Sequence, residues 1–302
     1  MSLFVTFSKM VVIMFTISLG FLANKKGFFN EEINRKMTKV VLNITLPAMI
    51  LGTVMTGDAL PPIATTLSVL KVAVFFYGIE GILALFLPRL LGGTAKQKGV
   101  WRHALLFPNM AFIGYPVVEA LFGGGALFYA TLLCLPYNIL TYSIGPAMLG
   151  GDTRFNVKDM MTPTMIASII SLILALTGLP VPALIGDAFS FVGGMTSPFS
   201  LLILGSVLAG MHAKEIFGNK KLWIFSVIRL IILPLLLLIV LRQMSLDSVV
   251  LGVAVIEMAM PVAVNGVMLC MEYDGDVDMM AQAIFVTTIL SMVTIPVVAM
   301  FL

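Results

Sequence analysis

The stretch LLFPNMAFIGYP, Leu105–Pro116, decides how this chain is read. It lies in an apolar run long enough to cross a bilayer, yet it holds two prolines, a glycine and an asparagine. Each proline removes a backbone donor and disfavours helix at the residue before it. Gly114 permits non-helical dihedrals. Hydrocarbon offers the backbone no substitute partner, so a break at membrane depth survives only under a cover of protein or beside a wet cavity. The spacing predicts a span broken near mid-depth by Pro108, Gly114 and Pro116.

The surroundings fit a membrane protein. Of 302 residues, 60% are apolar and 11% charged, against about 25% charge in soluble domains. Mean hydropathy is +1.08. A span needs roughly 20 apolar residues. Ten such runs are legible, at 3–22, 38–56, 63–87, 103–122, 126–149, 161–179, 188–210, 219–241, 247–271 and 279–301. The first has no basic leader or small-residue cleavage site and reads as a retained span. No connection is long enough for a soluble domain. Cys134 and Cys270 lie in apolar surroundings without metal-ligand spacing and read as packing residues.

Loop charges orient the chain. Fourteen lysines and arginines fall in the first, third, fifth and seventh loops, and only Arg242 falls on the opposite side. The positive-inside rule then puts both termini outside a cell membrane crossed several times. Lys9, Lys71 and Arg229 fall within spans. The basic first loop, NKKGFFNEEINRKMTK, reads as a short amphipathic helix on the lipid surface.

The sequence also matches itself. Shifted by 153 residues, LGTVMTG (Leu51–Gly57) falls on LGSVLAG (Leu204–Gly210), Pro108 on Pro261, Glu119 on Glu272 and Thr141 on Thr294. Five spans per copy reverse the second copy, giving an inverted repeat of residues 1–150 and 151–302. The mate of the opening stretch, MAMPVAVNGVM (Met258–Met268), carries Pro261, Asn265 and Gly266 and predicts a second break in span nine. Inverted repeats with paired broken helices are the architecture of secondary transporters, whose ligands bind at mid-depth against free helix ends.

NITLPAMIL (Asn43–Leu51), PNMAFIGYPVVEALFG (Pro108–Gly123) and AMPVAVNGVMLCMEYDGD (Ala259–Asp276) resemble the auxin efflux carrier family. That family contains plant PIN carriers and bacterial malate and malonate permeases. The resemblance covers the whole chain. It implies an all-α, ten-helix fold of the PIN and NhaA kind, with helices four and nine broken and crossed. It further implies a scaffold of spans 1, 2, 6 and 7 (1–57 and 161–211) and a mobile unit of spans 3–5 and 8–10 (63–149 and 219–301). A homodimer through the scaffold and an elevator movement are implied as well. The central loop, LGGDTRFNVKDM, is short where plant members carry a long one, which favours the bacterial branch. Plant carriers pair an acid with a lysine early in span three; Lys71 has Leu67 four residues before it, so that pairing does not carry over.

Several residues are candidates. Asn109 follows Pro108 at the break, and an amide can bind a carboxylate or cap the half-helix; the family's functional asparagine maps onto it. Asn265 plays the matching part in span nine. Asn43, whose mate is Thr196, is a candidate for the scaffold face opposite the site, or for a structural bond between helices. Lys71 either balances an anion's charge or snorkels. Glu257 and Glu80 are ionisable groups within spans and so candidates for ion coupling; Glu257 could instead pair with Lys71, His103 or Arg229. Glu119 and Glu272 read as structural, and His103 and His212 as interfacial. Carbonyls freed near Asn109, Pro261 and Asn265 make a plausible cage for Na⁺, slightly preferred over H⁺.

The reading is a transporter of a small organic anion, with mono- and dicarboxylates favoured and indole acids not excluded. The chain carries no nucleotide-binding loop, nothing that points to nucleic acid, and no cofactor motif, so energy must come from a gradient. A passive uniporter or channel and an auxin exporter are the alternatives. An intramembrane enzyme would show clustered acids or His-Glu motifs at a membrane face, and none is present.

Overall fold

The computed structural model describes residues 3–56, 62–150, 161–210 and 219–302. The expected midpoint loop with Arg154 and Lys158, the turn at Gly57, and His212 with Lys214 lie outside the described residues. Among the described residues the regular elements are all helices, and one isolated antiparallel bridge is the sole extended pairing. In order, the helices are α1 (Leu3–Lys25), α2 (Glu31–Met55), α3 (Ile63–Leu91), α4 (Ala95–Leu106) and α5 (Met110–Phe122). Next come α6 (Leu127–Ser143), α7 (Gly145–Leu149), α8 (Pro163–Thr177), α9 (Ala183–Gly193) and α10 (Thr196–Gly210). The chain closes with α11 (Lys220–Leu241), α12 (Ser248–Met258), α13 (Gly266–Glu272) and α14 (Val277–Ala299). Among the described residues, six helical segments are long and apolar enough to cross a membrane, with shorter apolar helices beside them. The molecule is a multi-pass membrane protein.

Proline chemistry explains the irregular turns. Wide π-turns occupy Val41–Thr45, Met110–Gly114 and Ile228–Ile232, and Pro47, Pro116 and Pro234 follow each by two residues. A proline inside a helix clashes with the carbonyl four residues back and donates nothing to it. Widening that turn relieves both problems and lets the helix continue. Pro116 therefore does not break span four; it sits in the first turn of regular helix after a π-turn. The first-loop helix, Glu31–Val40, is likewise no separate element, because it runs through its π-turn into α2.

Helices distant in sequence pack closely through glycine. α1 lies along α10, and α2 along α9 and α8. A Cβ on Gly20 would collide with the Leu202 carbonyl oxygen, and one on Gly205 with that of Ile17. Gly193 meets the Met49 backbone, and Gly52 meets Ser190, in the same way. Small residues let helix backbones approach where lipid provides no hydrophobic drive. A second group forms around α3, α4 and α6 and around α11, α12 and α14.

Candidate functional site

Both breaks lie at the centre of this second group. α4 starts at Ala95, earlier than expected for span four, because Thr94 and Gln97 form a reciprocal capping box. The half-helix ends at Leu106 and the chain turns extended at Phe107. His103 lies in the third turn of this half-helix, enclosed by protein. It is fully buried, its ring 4.5 Å from that of Phe107, with no hydrogen bond to either nitrogen. In the second break, the Asp247 side chain caps α12, which ends at Met258, and helix resumes only at Gly266.

The two breaks meet as an antiparallel pair, Pro108 opposite Val262. The Asn109 N–H donates to the Pro261 carbonyl at 2.7 Å, and the Ala263 N–H donates to the Phe107 carbonyl at 3.1 Å. Such bonds flank Pro108 and Val262 without joining them, so the ladder asks no donor of Pro108. Val262 does have an N–H, and it donates to Thr287 Oγ1 of α14 at 3.1 Å, while that hydroxyl donates onward to the Ala283 carbonyl at 2.6 Å. Buried backbone groups are thus paired in the absence of helix.

Asn109 caps the next turn. Its Oδ1 accepts from the Phe112 N–H at 3.2 Å, and its carbonyl accepts from Gly114 at 3.0 Å. Its Nδ2 is buried and has no partner. Asn265 is half-buried, and its Oδ1 accepts from the Tyr137 hydroxyl at 3.4 Å. Gly266 is pressed against Met280, whose Sδ would stand 2.8 Å from an added Cβ.

Glu257 joins the two breaks. It is fully buried in the last turn of α12, and neither carboxylate oxygen has a hydrogen-bond partner. Gly114, from the opposite break, lies directly on it: a Cβ there would collide with Oε2. Tyr77, Tyr115 and Cys134 are within electrostatic reach. None of Lys71, His103 or Arg229 forms the ion pair considered for it. An isolated buried carboxylate is too costly to leave charged and bare. It requires a proton or a bound cation, and the bare oxygens beside buried hydroxyls suit either.

Glu80 is different. Arg229 Nη1 lies 2.8 Å from its Oε1, with both side chains wholly buried, which pins α3 to α11. Lys71 is exposed on α3 in line with Leu67, Val74 and Phe75, the snorkelling arrangement, and is not brought to the crossing. Asn43 is also exposed, its Nδ2 donating to the Lys39 carbonyl one turn back at 2.7 Å. Its repeat mate Thr196 is fully buried. Thr287 was missed from sequence. The repeat offset places it on Cys134, which also lies near the crossing.

A helical membrane protein with two breaks that cover each other at its centre belongs to the class of polytopic membrane proteins. Comparison with known proteins gives the same class. The chain belongs to the membrane transport protein family, whose model matches residues 5–154 and 152–299. An uncharacterized transporter of Methanothermobacter thermautotrophicus is 26% identical over 284 residues, covering 93% of each chain. One from Methanocaldococcus jannaschii is 26% identical over 295 residues, covering 94% of this chain and 95% of the relative. The uncharacterized transporter YfdV of Escherichia coli is 24% identical over 273 residues, covering 85% and 84%. The protein is a membrane transporter rather than an enzyme.

Proposed function

We propose that this transporter is a secondary active carrier of a small organic anion, a mono- or dicarboxylate of the malate or malonate kind, coupled to a cation. The observation that carries this is the bare, buried Glu257 carboxylate against Gly114 at the crossing, beside the unpartnered Asn109 amide. The cation neutralises Glu257; the anion is held by the Asn109 and Asn265 amides. Na⁺ remains the preferred cation over H⁺, now centred on Glu257; the carbonyls expected to be free for it are already engaged, Pro261 by the Asn109 N–H and Asn265 by the Leu269 N–H.

The proposal includes ten spans in two inverted copies, with spans four and nine formed by α4–α5 and α12–α13. The 153-residue offset supports it by carrying α4 onto residues 248–259, where α12 stands, and α3 onto 216–244, where α11 stands. The close packing of α1, α2, α8, α9 and α10 supports a scaffold, and the grouping around the crossing supports a unit that moves as one. Both termini are then outside, and the outward-facing Leu184 and Phe191 of α9 suit a scaffold-mediated homodimer in the cell membrane.

Thermal stability of the purified protein tests the site. NaCl is compared with choline chloride at constant ionic strength, over a range of pH, with and without malate, malonate, oxalate and indole-3-acetate. A ligand selective for the folded state raises stability by mass action. A Na⁺-specific or pH-dependent rise that Glu257→Gln abolishes is expected, with a carboxylate shift lost in Asn109→Ala. Shifts unchanged in both variants overturn the site, and flux in vesicles that ignores every ion gradient overturns the coupling.

A further inference from the structure

The starts of three helices converge on one polar cavity that shares no residue with the crossing. Thr94 caps α4, Asn219 caps α11 and Asp276 caps α14, each side chain accepting from a backbone N–H of its own first turn. Between these starts and Gly92, the C-cap of α3, lies a cavity of about 330 Å³. That is within the roughly 300–1,000 Å³ of small-ligand sites. Trp101, only 1% exposed, forms its buried wall and packs on the ring of Phe225, 4.9 Å away.

The lining is chemically divided. From α4 and α11 come Lys221 and the amides of Gln97 and Asn219; from α14 come Asp276, Asp278 and Gln282. Gln97 Oε1 already accepts from the Thr94 N–H, and Asn219 Oδ1 from the Lys221 N–H, so the amide nitrogens remain as donors. Among the described residues the side chains of Lys221, Asp278 and Gln282 have no hydrogen bond or ion pair. Lys96 and Asp274, nearby in sequence but outside the cavity, are paired at 2.7 Å. The 153-residue offset carries Gln97 onto Val250, Lys221 onto Ser68, Asp276 onto Gly123 and Asp278 onto Gly125. The matching positions are uncharged, so the architecture does not itself demand these groups. A positive-inside bias accounts for the lysine, but not for two carboxylates beside it.

Donors on one side and carboxylates on the other suit a zwitterion. Lys221, two amides and two helix N-termini favour an anion. Two carboxylates oppose a ligand that carries negative charge alone, and favour an ammonium. A primary ammonium brings three donors to them. A quaternary one brings none and needs an aromatic cage, whereas Trp101 is the sole aromatic residue in the lining among the described residues. The cavity also lies at the edge of the apolar surface. Phe86 and Leu90 of α3 face outward just before Gly92, and Ile224 and Val227 of α11 face outward just after Lys221. We propose that the cavity binds the phosphoethanolamine headgroup of a membrane lipid. The phosphate lies toward Lys221 and the starts of α4 and α11, the ammonium toward Asp276 and Asp278, and the acyl chains along α3 and α11. With the basic loops in the cytoplasm, the lipid belongs to the inner leaflet. The inference goes beyond the carrier reading and depends on neither its anion nor its coupling ion.

Lipid titration read by native mass spectrometry tests it. The delipidated full chain is titrated with the dioleoyl forms of phosphatidylethanolamine, phosphatidylcholine and phosphatidylglycerol. Phosphatidylethanolamine is expected to bind about tenfold more tightly than either of the others. Lys221→Gln should weaken it by about tenfold. Asp276→Asn with Asp278→Asn, which keeps a capping side chain on α14, should turn the preference toward phosphatidylglycerol. A merely structural role would not move lipid preference in opposite ways. Lys221 and Asp278 are exposed, so Lys221→Gln and a single Asp278→Asn should unfold at the wild-type temperature without lipid, which separates lost binding from lost folding. Equal binding of the three lipids to the wild type, or one preference shared by every variant, overturns the proposal. Soluble phosphoethanolamine that binds as tightly as the lipid and displaces it keeps the chemistry and overturns the membrane as its source. All arms are run without Na⁺ or malate, so this inference and the carrier reading fail separately.

Discussion

Among the described residues two carboxylates are fully buried, Glu80 and Glu257, and their surroundings assign them different work. Glu80 on α3 is held by Arg229 on α11, charge against charge. Glu257 on α12 has no partner and is pressed against the backbone of Gly114. Burial does not separate them, since both are wholly enclosed; the company each keeps does. A paired acid fixes two helices. A bare one remains available for a cation.

The contrast can be broken from the paired side first. Arg229→Met leaves Glu80 buried and uncompensated, so stability should fall by about 3–5 kcal/mol in denaturant titrations of the solubilised protein. Replacing both, Glu80→Leu with Arg229→Met, should recover most of that. If the double variant is no more stable than the single one, the pair is more than a clamp. Next is Gly114→Ala, whose methyl would meet the Glu257 carboxylate. Overpacking of this kind costs about 1–3 kcal/mol, and a second change, Glu257→Ala, should restore stability by making room. No recovery would mean that the glycine serves backbone geometry instead. Thr287→Val strands the Val262 N–H and should cost about 1–2 kcal/mol, while Thr287→Ser keeps the acceptor and should be near neutral. The smallest effect on stability belongs to Glu257→Gln, within about 1 kcal/mol, because the side chain has no partner to lose. The same variant should lose its response to Na⁺ and pH. That inversion, large for the partner of Glu80 and small for Glu257, is the sharpest form of the comparison.

Sequence revealed the breaks because proline acts locally. Proline alone does not decide, since Pro88, Pro136 and Pro296 lie inside continuous helices; Pro108 and Pro261 stood out because a constant offset tied them together. It also picked out Asn109, since the residue after such a proline has free backbone to cap. It could not rank Glu80 against Glu257, because Arg229 lies 149 residues from its partner. Helical phase was the other obstacle. Lys71 and Asn43 sit in apolar runs whose pattern does not reveal which face meets protein, and both face outward. The start of α4 was misplaced because Thr94 and Gln97 set it within a charged stretch that reads as loop, and the burial of His103 by protein was not legible either.

The glycine contacts that join α1 to α10 have a consequence for how the protein is made. Asn24 of α1 and its partner Ser206 of α10 are 182 residues apart. At about 5–20 residues per second of synthesis, α1 enters the bilayer roughly 10–40 s before its closest neighbour exists. Its glycine-notched face must wait in lipid or against the insertion machinery. A methyl group at Gly20 or Gly205 would thus reveal itself first as poor yield, through newborn chains discarded before they ever transport anything.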